Sequence, residues 1–147
     1  MRGYLLDTSI LSLLAPGRPE MTPGFAAWLA SRDEDLFTSA VSIAELQEGI
    51  AKLVRQSPGN RAAMMAAWLD TTVVRFERNL IEVTINVARA AGNLSDRARS
   101  IGRHPGLADI LIAATAQVHD LTLLTRNVRH FEPLGIDVID PLVTLPR

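Results

Sequence analysis

Short apolar runs alternate along this chain with stretches of helical length, and that alternation points to an α/β architecture. Tyr4-Leu5-Leu6 is the first such run. Three successive apolar residues leave no polar face for solvent, so a strand of this kind belongs in the middle of a parallel sheet covered on both sides. Leu36-Phe37-Thr38 reads as a second strand, Leu80 to Val83 as a third, Leu121 to Leu124 as a fourth and Ile136 to Ile139 as a fifth. Helices are expected from Thr8 to Leu14, stopped by Pro16-Gly17, and from Phe25 to Ser31. Others are expected from about Ile43 to Val54, from about Arg61 to Phe76, from Ile85 to Ile101 and from Leu107 to Val118. Ser57-Pro58-Gly59-Asn60 breaks the chain between the third and fourth of these. Gly92 weakens the middle of its helix by about 1 kcal/mol relative to alanine. No repeat, low-complexity tract or linker interrupts the pattern, so residues 1–147 are read as one domain.

A chain of 147 residues, 48% of them apolar, can build a substantial core without disulfides or structural metal. It has no cysteine, which excludes thiolate zinc sites and cysteine nucleophiles and fits a reducing compartment. Met1-Arg2-Gly3-Tyr4-Leu5-Leu6-Asp7 meets a carboxylate before a signal-peptide hydrophobic region can form, and no apolar run reaches the ~20 residues needed to span a bilayer. A soluble, cytoplasmic protein without a membrane partner is expected. The net charge of −1 does not select a partner. Lys52 is the only lysine among fifteen basic residues, so the rest are arginine. Arginine suits bidentate phosphate recognition, but genome composition alone gives the same bias.

Three acids stand where chemistry is possible. Asp7 follows the first strand, at the carboxyl edge where open parallel sheets bind ligands, although Asp7-Thr8-Ser9 also reads as a helix cap. Glu45 closes Ser42-Ile43-Ala44-Glu45, which has the S-x-x-E form of a capping box, yet the same turn overlooks the same edge. Asp109 falls in the first turn of the helix after Pro105-Gly106, among Leu107, Ala108, Ile110, Leu111 and Ile112. A carboxylate in such apolar company is unfavourable unless it is paired or metal-bound. Converging carboxylates repel unless a cation compensates. Oxygen ligands without cysteine or histidine suit Mg2+ or Mn2+ better than zinc. Such an ion on a phosphodiester is the chemistry these residues support best. Thr125-Arg126-Asn127 follows the fourth strand. Thr125 could orient an acid or a water, and Asn127 could serve the ion's hydration or cap Val128–Phe131. His104, His119 and His130 have no metal spacing and read as structural. Met64, Met65, Trp68 and Leu69 form a stripe for the core or a dimer surface.

Four blocks, in order, resemble the PIN-domain nucleases. They are Leu5-Leu6-Asp7-Thr8-Ser9, Ser39-Ala40-Val41-Ser42-Ile43-Ala44-Glu45-Leu46, Ala108-Asp109-Ile110-Leu111-Ile112-Ala113-Ala114-Thr115-Ala116, and Leu124-Thr125-Arg126-Asn127-Val128-Arg129-His130-Phe131. The likeness is strongest to the VapC toxins of toxin–antitoxin pairs, including the FitB-like branch, and runs from Leu5 to about Val138. It implies a three-layer α/β/α fold with a parallel sheet of order 3-2-1-4-5. It also implies a Mg2+- or Mn2+-dependent endoribonuclease, usually a homodimer, inhibited by a VapB-type antitoxin that places a basic side chain in the acidic pocket. By motif position Asp7, Glu45 and Asp109 match the family's three main acids. Asp7 and Asp109 would coordinate the ion. Glu45 would hold it through water, or orient and deprotonate the attacking water. Thr8, Ser39, Thr125 and Asn127 are candidates for supporting roles. Many members carry a fourth acid where this chain has Asn127, which favours one ion over two. Hydrolysis by water would leave a 5′-phosphate and a 3′-hydroxyl.

Other readings are a PIN-like module that binds RNA or an antitoxin without cutting, and a housekeeping nuclease outside any toxin–antitoxin pair. An aspartyl-phosphate phosphotransferase would want an acid where Ser9 stands and a suitable lysine, and Lys52 falls mid-helix. A dinucleotide site would need a G-x-G-x-x-G turn after the first strand, and none is present.

Overall fold

Leu5 and Leu6 are neighbours in sequence and point into different cores. Successive side chains on a strand leave opposite faces, so a strand that is apolar throughout holds two layers of helices apart. The same division separates Leu123 from Leu124, Phe37 from Leu36 and Val138 from Ile139. The computed structural model describes residues 3–147; Met1 and Arg2, where the expectation about the amino terminus begins, lie outside the described residues.

The strands are β1 (Tyr4–Leu6), β2 (Leu36–Ser39), β3 (Leu80–Ile81), β4 (Thr122–Leu124) and β5 (Val138–Ile139). They form a parallel sheet in the order β3-β2-β1-β4-β5, the order implied by the family resemblance. The helices are α1 (Thr8–Leu11), α2 (Pro23–Ser31), α3 (Ala40–Gln56), α4 (Asn60–Arg75), α5 (Ile85–Ser100), α6 (Leu107–Val118) and α7 (Val128–Phe131). One face of the sheet is covered by α5 and α6 through Val87, Leu94, Ile110 and Ile112. The other is covered by α1 and α2 through Ile10, Leu11, Phe25 and Leu29, with Phe76 following α4. This is a three-layer α/β/α sandwich.

Element boundaries depart from expectation where a side chain resets them. The expected helix from Thr8 to Leu14 is α1 followed by a 3-10 turn over Ser12–Leu14. α2 begins at Pro23 rather than Phe25, because Thr22 accepts the Phe25 amide and proline suits the first helical position. α3 begins at Ala40, three residues before Ile43, because Ser39 is both the last strand residue and the cap. β3 stops at Ile81, leaving Val83 exposed, and β5 starts at Val138 rather than Ile136. At Gly3, a Cβ would lie 2.7 Å from the Phe37 ring and 2.8 Å from the Asp35 carbonyl oxygen, so glycine there lets β1 lie against β2. Among the described residues no helix is long and apolar enough to cross a membrane.

Candidate active site

Strand register determines which side chains meet at the carboxyl edge. Leu6 is paired with Leu124, so the next residues, Asp7 and Thr125, are neighbours as well. The ladder continues through them: the Asp7 amide donates to the Leu124 carbonyl at 2.9 Å, and the Thr125 amide to the Ile139 carbonyl at 3.0 Å. The Thr125 hydroxyl donates to Asp7 Oδ2 at 2.7 Å, and the Ser9 hydroxyl donates to the same oxygen at 2.9 Å. Ser9 also receives the Arg126 amide at 3.1 Å, and Thr125 receives the Asn127 amide at 2.9 Å. Asp7 is only 4% exposed. Two charge-assisted hydrogen bonds on one carboxylate oxygen fix its orientation and leave Oδ1 for another partner.

Asp7 occupies the cap position of α1, but its carboxylate makes no capping bond; its carbonyl oxygen receives the Ile10 and Leu11 amides instead. The cap reading of Asp7 is therefore set aside. The capping-box reading of Glu45 fails too. Ser39 caps α3, accepting the Val41 and Ser42 amides at 3.0 and 3.3 Å, which places Glu45 in the second turn. Its Oε1 accepts the Thr8 hydroxyl at 2.6 Å. The Thr8 oxygen is also 3.0 Å from Ser42 Oγ. The Thr8 hydroxyl thus points toward both Glu45 and Ser42, with the shorter bond to the carboxylate. Glu45 is thereby tied to the residue after Asp7.

Asp109 lies in the first turn of α6. Its carboxyl is raised above the ordinary carboxylate range, first by burial and then by the charge of Asp7; His130 opposes the shift. Asp7 and Asp109, distant in the sequence, thus act on one another at the same edge of the sheet. His130 Nδ1 is 3.6 Å from Asp109 Oδ2, a contact that its lack of metal spacing did not foretell. Asn127 is exposed, and its side chain caps nothing on α7. Asp140 ends the same edge on β5, but its Oδ1 receives the Leu142 amide and so fastens the terminal turn.

The structure thus brings together Asp7, Asp109, Thr125 and Ser9, and joins Glu45 to them through Thr8. Ser39 stays with the backbone of α3. Among the described residues no three acidic or histidine side chains stand close enough to form a finished cage for a metal ion. The donor chemistry nevertheless fits a hard divalent cation: two electrostatically coupled carboxylates repel each other, and a cation between them removes the repulsion.

Comparison with known proteins gives one consistent result. Residues 4–134 match the model of the PIN domain family. The chain is 31% identical over 139 residues to VapC ribonuclease Y4jK of Sinorhizobium fredii, covering 93% of this chain and 96% of that protein. It is 32% identical to toxin FitB of Neisseria gonorrhoeae, with the same coverage. It is also similar to the crystal structure of FitAcB from Neisseria gonorrhoeae, at a TM-score of 0.81 and 31% identity, covering 94% of this chain and 97% of that one.

Proposed function

The chain belongs to the PIN-domain family, and on that premise we propose that it is a metal-dependent endoribonuclease, the toxin of a toxin–antitoxin pair. The observation that carries the proposal is the buried Asp7 carboxylate at the carboxyl edge of the sheet, oriented by Thr125 and Ser9, with Asp109 presented from the first turn of α6. Both acids would hold a divalent cation, Mg2+ or Mn2+, with Asp7 presenting the oxygen that Ser9 and Thr125 do not use. Such an ion, when bound, supplies Lewis acidity toward the phosphodiester and makes a water molecule more acidic.

The remaining steps belong to the side chains. Thr125 and Ser9 hold Asp7 to one rotamer. Thr8 holds Glu45, whose carboxylate orients the attacking water and receives its proton, in keeping with its place outside the Asp7–Asp109 pair. His130 steadies Asp109. Asn127, standing where many relatives have an acid, leaves the site with charge enough for one ion. The products would be a 5′-phosphate and a 3′-hydroxyl, because the ribose 2′-hydroxyl takes no part.

Single-stranded RNA incubated with the protein and Mg2+ or Mn2+ should be cut internally, and chelation should stop it. Fragments ending in a 2′,3′-cyclic phosphate would refute the water mechanism. A second reading, a PIN-like module that binds without cutting, draws support from Asn127; intact RNA in the same assay would select it. In the toxin reading the partner is a VapB-type antitoxin carrying a basic side chain for the acidic pocket. The exposed apolar side chains Val83, Ile85 and Leu107 suit burial in a homodimer. The cytoplasm, where such RNA is found, is the proposed place of action.

A further inference from the structure

Beside the acids lies a cleft of about 280 Å³ whose wall includes Asp109 and whose other polar groups are cationic or can become so: Arg103, His104, Arg129 and His130. Arg103 follows the end of α5, and Arg129 lies on α7, so two separate elements bring guanidinium groups to one opening. Both arginines are exposed. The ion pairs among the described residues are Arg32–Asp35, Arg75–Asp33 and His130–Asp109, and neither Arg103 nor Arg129 takes part. Their charge is therefore available to a ligand. Arg129 and His130 also line a wider cleft of about 730 Å³ that continues past Arg126 and Asn127. A groove with basic residues along it thus runs across α7, next to the carboxylates.

We propose that Arg103 and Arg129 bind a backbone phosphate of single-stranded RNA adjacent to the phosphodiester that is cut. The inference rests on the ribonuclease reading and adds to it a positioning subsite. The need for such a subsite is electrostatic. A pair of carboxylates repels a polyanion, and the net charge of −1 gives the molecule no overall attraction for one. A local cationic cleft supplies the hold that the acids lack. Arginine is suited to it, because its planar guanidinium takes two phosphate oxygens at once. Contacts of this kind fix register and orientation without reading sequence. Arg103 and Arg129 are positioning residues, since they touch the strand away from the reacting atoms.

The test is the salt dependence of binding and cleavage of a short fluorescent RNA, by anisotropy with Ca2+ and by kinetics with Mg2+. For single strands, each lost phosphate contact lowers the slope of log affinity against log salt by ~0.7. The Arg103→Gln, Arg129→Gln double variant loses that one phosphate contact and should therefore lower the slope by ~0.7, raise KM and leave kcat near wild type. Arg129→Lys in the wild-type background should keep most of the slope. Arg78→Gln, in the turn before β3 and at the opposite edge of the sheet, should change neither. Wild-type cleavage combined with an unchanged slope and KM in the double variant overturns the subsite and leaves the nuclease standing. Binding of inorganic phosphate that the double variant loses, with RNA affinity unaltered, likewise overturns it. Wild-type protein that neither binds nor cuts RNA overturns both the subsite and the proposed function.

Discussion

At the scale of single residues, the site trades stability for chemistry. Asp109 is held above the ordinary carboxylate range by burial and by Asp7. An acid whose folded-state pKa exceeds its unfolded value binds its proton more tightly in the fold. Its ionisation therefore erodes stability as pH rises from the unfolded value through the raised folded one. With chelator present, Asp109→Asn should melt at a higher temperature than wild type at neutral pH, and the difference should close in acid; a lower melting temperature would contradict this. Thr125 is a different case: its hydroxyl is wholly buried and donates to Asp7. Thr125→Val should lower stability by about 1–2 kcal/mol in urea unfolding. Cleavage should fall by about ten- to a hundredfold, because Asp7 is held by one hydroxyl fewer. The sequence marked Asp7, Asp109 and Thr125 by their places after strands or at a helix start. Ser9 and His130 were harder to read: Ser9 bonds Asp7 locally, but its ties to Thr125 and the Arg126 amide come from a different strand end, and His130 meets Asp109 from a separate helix. For Ser9 the signal in the sequence is the hydroxyl two residues after an edge acid.

At the scale of elements, short apolar runs located all five strands, most sharply the central β1, where burial on both faces leaves no polar alternation; the edge strands β3 and β5 are half-buried, and the runs expected for them contain Glu82 and Asp137. Ends were harder to place. Ser39 and Ser42 both stand in cap-like contexts, and Ser42-Ile43-Ala44-Glu45 carries the stronger local motif. The chain uses Ser39 because β2 passes into α3 without a loop, so the last strand residue is already extended and can accept amides from the first turn. Ser39→Ala should cost about 1 kcal/mol, measured by urea unfolding, with RNA cleavage unchanged at temperatures where the protein is folded. A loss of cleavage without loss of stability would mean that Ser39 belongs to the site. The relocated cap also explains Glu45. Freed from the capping box, it meets Thr8 and joins α3 to the start of α1.

At the scale of the whole molecule, strand order gathers the site. Placing β1 in the centre with β2 and β4 beside it brings Asp7, the start of α3 and Thr125 to one edge. α6 packs on the same sheet and adds Asp109. Large exposed side chains such as Ile85 and Leu107, 76% and 73% accessible, argue for burial between copies, and sedimentation should report a dimer. A monomer independent of concentration would remove that argument. The central claim is that the Asp7–Asp109 pair makes this fold a metal-dependent ribonuclease. Its most direct test compares wild type with Asp7→Asn in Mn2+-dependent RNA cleavage, with melting curves to establish that both are folded. Cleavage should fall by about a hundredfold or more in the folded variant. Cutting at the wild-type rate by folded Asp7→Asn protein would contradict the account.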